Sequence, residues 1–314
     1  MDFSKTIFIV AQSLFLIAIA PLLTGIIRKV KAAFQFRQGP PFLQPYYDLL
    51  KYFRKEIVVS DSASWIFHAA PYVVLAACAS CSFFTPSVSF ALAPSSTGDV
   101  ILIVYLMALA RFFMALAAMD TASAFGGMAS SREMMISSIA EPAMILCFIS
   151  LASSCGSANL AGIMSKVAER GDYYFAAENI FVLFALFLIV TAETGRVPFD
   201  NPATHLELTM VHEGMILEYS GKYLAMINMA SYIKQAVLFA VVVNVFFPYA
   251  MASVATPPAF FAAAAALASK LIIFSIVIGV FESSLAKSRL FQVPDLIGIA
   301  FILALTSIIT SAMR

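Results

Sequence analysis

Eight chemically active side chains crowd one short stretch of this 314-residue chain: Glu193, Arg196, Asp200, His205, Glu207, His212, Glu213 and Glu218. Carboxylates at this density can carry protons, and imidazoles can shuttle protons or ligate metal. Asp200-Asn201-Pro202 reads as a helix start, with a capping side chain and a proline in the first turn, and Gly221 reads as its stop. On that helix Glu207, Gly214 and Glu218 share a face. His205 and His212 share another, but seven residues rise roughly 10 Å, too far for two imidazoles on one zinc at about 2 Å each. The pair also lacks HExxH spacing, so no bound metal is expected. A solvated or partner-facing helix is the default reading, and a proton-carrying acidic cluster is the alternative.

A second set of charges lies inside long apolar runs: Arg111, Glu141, Lys234 and Lys270, with Asp120, Glu133, Glu178, Glu193 and Glu282 near run ends. A charge at the centre of a span costs at least ~2.5–3.5 kcal/mol and usually faces an interior partner or water. End residues can snorkel to an interface, but Glu141 and Lys270 cannot easily do so. The set pairs either into a buried polar file, as proton conduction requires, or into purely structural interhelical bonds. Cys78 and Cys81 form a CxxC within a small-residue apolar run, with Cys147 and Cys155 elsewhere. No second CxxC follows, and buried thiolates need a metal to offset their charge, so the cysteines read as packing residues. No iron–sulfur cluster is expected in this chain.

These residues are positioned by a chain that is 61% hydrophobic and 12% charged, with a formal net charge of +1. Soluble domains carry roughly twice that fraction of charge, about 25%. The composition excludes a cytosolic enzyme, a disordered chain and a nucleic-acid binder. An all-α integral membrane protein forming a single membrane domain is expected. Its spans fall at about 6–27, 66–90, 100–120, 135–155, 177–192, 223–250, 259–281 and 294–312. The fifth is the shortest and is expected to continue as helix into the loop beyond. The first has its basic residues after it, the reverse of a signal peptide, and reads as a retained span. Twelve Lys and Arg fall in the odd-to-even loops and four on the other side, which puts those loops in the cytoplasm and both termini outside.

The first of those loops carries an amphipathic helix. Tyr46, Leu49, Leu50, Phe53 and Ile57 lie on one face, and Tyr47, Asp48, Lys51, Arg54 and Lys55 on the other. It serves either as a topology anchor in the membrane interface or as the floor of a docking surface.

Three stretches resemble the family of the H-type membrane subunit of complex I. Phe34 to Glu56, with Arg37 and the Gln-Pro-Tyr-Tyr-Asp motif, resembles its first cytoplasmic loop. Ser131 to Glu141, with Arg132 and Glu141, resembles its third-to-fourth span junction, and Ala192-Glu-Thr-Gly-Arg-Val-Pro-Phe-Asp200 closing with Glu218-Tyr-Ser-Gly221 is the most specific signature. The segment between Asp200 and Glu218 is longer and less acidic than in quinone-reducing members. It looks like that of the membrane-anchor subunit of energy-converting [NiFe] hydrogenases, the formate hydrogenlyase subunit 4 group.

The resemblance implies a non-catalytic subunit of a bacterial or archaeal cytoplasmic membrane. Hydrogenase small and large subunits would dock on its loops, carrying the nickel–iron centre and the iron–sulfur clusters, and antiporter-like membrane subunits would lie beside it. Glu193, Arg196, Asp200, Glu207, Glu213 and Glu218 carry over by position. On this reading Glu193, Glu207, Glu213 and Glu218 take up protons, Glu133 and Glu141 relay them, and Arg111, Lys234 and Lys270 tune the carboxylates. Arg37, Asp48, Lys51, Arg54, Lys55, Arg132, Arg196 and Asp200 shape and dock the loops. Two alternatives stand: the quinone-site H-type subunit of a complex I-like dehydrogenase, and a stand-alone secondary transporter.

Overall fold

The computed structural model describes residues 3–90, 99–169, 176–200, 210–252, 256–286 and 292–313. These form α1 (Phe3–Phe34), α2 (Gln44–Arg54), α3 (Trp65–Phe84), α4 (Asp99–Asp120), α5 (Ala124–Cys155), α6 (Leu160–Glu169), α7 (Ala177–Glu193), α8 (Gly221–Phe246), α9 (Pro257–Ser284) and α10 (Val293–Ala312), with a 3₁₀ turn at Glu213–Ile216. Among the described residues, seven helices are long and apolar enough to cross a bilayer: α1, α3, α4, α5, α8, α9 and α10. The remaining expected span, the fifth, is α7, whose 17 residues reach about 26 Å, just short of the ~30 Å hydrocarbon thickness. The chain is an all-α, multi-pass membrane protein.

Helix boundaries depart from expectation where small residues or caps intervene. The fourth span begins at Ala124 rather than near 135, because Gly126, Ala129 and Ser130 let α5 close tightly on α4. A Cβ at Gly126 would run into the Ala118 carbonyl, and Ser130 Oγ donates to Ala115 O at 3.2 Å. The second span stops at Phe84 and the sixth at Phe246. α7 does not continue into the loop. Thr194 Oγ1 donates to Val190 O at 2.7 Å, and Gly195 takes a left-handed φ of 59° that ends the helix. α6 went unforeseen. Its Leu160, Ile163, Met164 and Val167 form one buried stripe, and Lys166 Nζ caps α5 through the Cys155 and Gly156 carbonyls at 2.7 and 3.1 Å.

The expected helix from Asp200 to Gly221 is corrected where it can be seen. Residues 210–220 form a loop around the 3₁₀ turn, and Gly221 opens α8 instead of closing a helix. His205 and Glu207 lie outside the described residues.

α8 is the central helix, with an unbroken buried run from Gln235 to Phe246. A helix that is apolar all round belongs in a core. α1, α3, α7 and α9 pack against it. One face of the bundle gathers the basic loops. There Ser64 N donates to Asp120 Oδ2 at 2.7 Å, Val58 and Ser220 exchange hydrogen bonds at 2.8 Å, and Lys31 of α1 meets Glu282 of α9. The four cysteines are all buried and joined in no disulfide, and Cys81 Sγ donates weakly to Ile103 O at 3.7 Å.

Candidate functional site

Five charges from four helices meet below the basic face. Arg111 of α4 is the hub, its side chain only 4% exposed. It pairs with Glu193 at the end of α7 through Nη2 at 2.6 and 2.7 Å, with Glu141 of α5 through Nη1, and with Glu133 of α5 at 3.6 Å. Lys234 of α8 meets Glu193 Oε2 at 2.8 Å. Glu133 and Glu141 are eight residues apart, which sets them on one helical face. The cluster holds three carboxylates against two cations. Fully ionised it carries one surplus negative charge, which one added proton cancels. Glu133 makes the loosest of these pairs, and Arg111 Nε has no hydrogen-bond partner.

A second cluster lies one residue along α8. Gln235 Oε1 accepts from Arg196 Nη2 at 2.6 Å and from Thr24 Oγ1 at 3.1 Å. Arginine only donates, so the Gln235 oxygen must face it, which fixes the amide orientation. Arg196 Nη1 stands 3.4 Å from Glu282 Oε1, and Lys31 Nζ stands 2.8 Å from Glu282 Oε2. The Glu282 side chain is fully buried between these two cations.

Above this cluster opens a chamber of about 520 Å³, walled by α1, the loop after it, the Thr194–Asp200 turn, the 3₁₀ turn and α8. Arg28, Arg37, Arg196, Asp200, His212 and Glu213 supply much of its polar lining. A smaller void of about 30 Å³, enough for one or two waters, lies against Arg111, Glu133 and Lys234. The loop roofing both is held by Asp200. Its Oδ2 accepts from the backbone N–H of Val211 and of His212, each at 3.2 Å. Asp200 thus caps backbone donors, as its type suggests, but those of residues eleven and twelve positions on. Tyr219 stacks on Phe67 with centroids 4.0 Å apart and donates to the Phe67 carbonyl at 3.1 Å, and burial pushes its phenol pKa up.

The structure unites Glu133, Glu141, Glu193 and Lys234 and separates Glu218 and Lys270 from them, while Glu207 lies outside the described residues. Glu213 lines the chamber, but Glu218 is exposed to its side. Lys270 is apart from both clusters. Its Nζ donates to the Phe247 carbonyl at 2.7 Å, capping the end of α8 at the opposite face. Arg132 donates to Met210 O at 3.2 Å and steadies the loop. Asp48, expected on the polar face of α2, turns back to Arg28 at 3.7 Å and accepts from Gln44 Nε2 at 2.9 Å. Lys51, Arg54 and Lys55 are exposed, and so are Leu50, Phe53 and Ile57 of the apolar face. Sequence reasoning missed Lys31, Thr24 and Gln235. The signal available was Gln235 itself, an amide in an otherwise apolar run. Among the described residues, no group of three or more His, Cys, Asp or Glu is arranged to hold a metal ion.

A polytopic helical bundle with a buried ion-pair cluster beneath a chamber at its basic face is the class that fold and site define. The chain belongs to the family described as NADH dehydrogenase, which matches residues 6–312. It is 33% identical over 282 residues to formate hydrogenlyase subunit 4 of Escherichia coli (strain K12), covering 89% of this chain and 90% of that one. It is 30% identical to hydrogenase-4 component C of the same organism, covering 95% and 93%. The NADH-quinone oxidoreductase subunit 8 of Rhodothermus marinus is 30% identical over 252 residues, 74% of this chain and 72% of that one. Among solved structures, a chain of the membrane-bound sulfane sulfur reductase, an archaeal respiratory membrane complex, superposes with a TM-score of 0.84 at 19% identity. It covers 98% of this chain and 99% of its own length, a likeness of fold.

Proposed function

We propose that this chain is the membrane-anchor and proton-coupling subunit of a membrane-bound [NiFe] hydrogenase complex. The observation that carries this reading is the buried Arg111 cluster, with its surplus carboxylate, against a small void that shares His212, Ile227 and Ser231 with the chamber at the basic face. That face is cytoplasmic in this reading, by the excess of Lys and Arg in its loops. The hydrogenase small and large subunits dock there, and the nickel–iron centre and iron–sulfur clusters reside in them. The relatives named formate hydrogenlyase subunit 4 and hydrogenase-4 component C support that choice of assembly.

Hydrogen evolution consumes protons near this interface. Glu213 takes them up at the chamber wall, Glu133 accepts them beside Arg111, and Glu141 passes them toward antiporter-like neighbours. Arg196 holds the loop through Glu282 and Gln235 and moves no protons. Replacing Glu141 with Gln in the assembled complex tests the relay. Hydrogen-linked proton translocation should fall about a hundredfold or more, in line with losing a proton-transfer group. Full retention would make Glu141 structural.

One observation favours a second reading. The chamber includes Ile216, Ile227 and Tyr232 beside its polar groups, a lining that suits an amphiphilic ring such as a quinone headgroup. Photolabelling by a quinone analogue on the peptide carrying Tyr232 would bring that reading forward.

A further inference from the structure

We propose that His212 is the proton-transfer gate between the chamber and the Arg111 cluster. The inference rests on the proton-coupling reading above and adds a residue and a step to it. Three described residues line both the chamber and the small void: His212, Ile227 and Ser231. Of these, His212 is the one that titrates. Ile227 carries no proton, and a serine hydroxyl passes one only by rotating within a water chain. A proton crossing from the chamber to Glu133 therefore meets the imidazole.

The loop geometry holds that imidazole in place. Asp200 accepts from the His212 backbone N–H at 3.2 Å and fixes the residue at the start of the 3₁₀ turn. Around the ring stand Glu133 from α5, Lys234 from α8, Arg111 from α4 and Asp200 from the loop. Glu213 and Arg196 share the chamber wall with it. Burial lowers the His212 pKa below the usual histidine value. Glu133 and Asp200 pull it up, while Lys234 and Arg111 push it further down. The ring is neutral at neutral pH, so one nitrogen accepts while the other donates.

The step balances without a redox partner. A protonated water in the chamber gives its extra proton to the basic ring nitrogen and is left as neutral water, and the other nitrogen gives its proton to the Glu133 carboxylate through the void. Glu133 becomes neutral, and the surplus charge of the cluster is cancelled. Rotation of the ring about Cβ–Cγ then turns the new N–H toward the void and the bare nitrogen toward the chamber, so that each proton passed exchanges the tautomer.

The test uses the complete complex in membrane vesicles, carrying wild-type chain, His212→Gln or His212→Ala. Both variants should translocate protons at least about a hundredfold more slowly at neutral pH, the low end for losing a general acid–base group. Imidazole, which the 520 Å³ chamber admits, should restore His212→Ala in proportion to its concentration. A variant that pumps at the wild-type rate, or a slow variant that imidazole leaves slow, overturns the gate. A wild-type complex that moves no protons overturns the coupling reading itself. A second measurement stands apart from both assembly and turnover. The chain has three histidines, so ¹⁵N-histidine spectra of wild-type protein in nanodiscs resolve each ring. A neutral His212 ring at pH 7 exchanging between tautomers is expected. A charged ring, or one locked in a single tautomer, would overturn the proposal.

Discussion

At the scale of the residue, the decisive fact is that one guanidinium serves three carboxylates in apolar surroundings. Removing one partner from a buried ion pair leaves charge without compensation and typically costs about 3–5 kcal/mol. Arg111→Met should therefore unfold at markedly lower denaturant in a detergent titration. Adding Glu133→Gln and Glu141→Gln should recover part of the loss, because Glu193 keeps Lys234. His212 gives a pH dependence of known sign. Its folded pKa is lowered by burial, so the unfolded loop binds the proton better than the folded one. Stability from this group is complete well above the ordinary histidine value of about 6.5 and is lost as pH falls through it. Hydrogen exchange at Val211 and His212, corrected for intrinsic rates, should speed up on acidification in wild type and stay flat in His212→Gln. Sequence alone could not separate Lys270 from Lys234, since both are lysines in apolar runs. What separates them is the surface each meets: the Phe247 carbonyl at the end of α8 for one, a buried carboxylate for the other.

At the scale of the element, two glycines and one aspartate decide how the loops meet the helices. Gly221 has φ +52°, and a Cβ there would collide with the Glu56 carbonyl. Gly221→Ala should lower the thermal midpoint in detergent. The left-handed backbone alone costs an L-residue roughly 1–2 kcal/mol, and Glu56 must also shift. Gly195, also left-handed, stops α7 as sequence rules for a C-cap describe. The same rules misassign Gly221, because a positive φ marks a sharp change of direction and not which side of it is helical. Seven of the eight expected spans were legible because apolar length is a one-dimensional signal. The 3₁₀ loop was not, because its order comes from Asp200 reaching across to Val211 and His212, a contact that sequence spacing does not announce. Asp200→Asn should loosen that turn, seen as faster exchange at those two amides. Arg132→Gln should do so more weakly, through Met210.

At the scale of the whole molecule, polarity is segregated by face. The loops rich in Lys and Arg converge on one end of the bundle, where Lys51, Arg54 and Lys55 of α2 and its end are exposed. If that end receives the peripheral hydrogenase subunits, the double variant Arg54→Glu with Lys55→Glu should lower their recovery with the membrane fraction. The effect should deepen as ionic strength is reduced, because exposed charges act over a Debye length of about 10 Å at 0.1 M salt. Unchanged recovery would place the docking surface elsewhere. That the basic loops share one end fits their composition, whereas the chamber beneath it needed five separate segments to be brought together.

Lys234 and Gln235 are neighbours on α8, and each belongs to a different polar cluster. Successive side chains on a helix point about 100° apart, so this one helix acts as a partition wall with a contact on either side. Its tolerance to insertion is correspondingly poor. One added residue between Gly221 and Lys234 would turn the rest of α8 by about that angle and carry both side chains off their partners at once. Gene variation in this stretch should run to substitutions, with changes of length confined to the loops at either end.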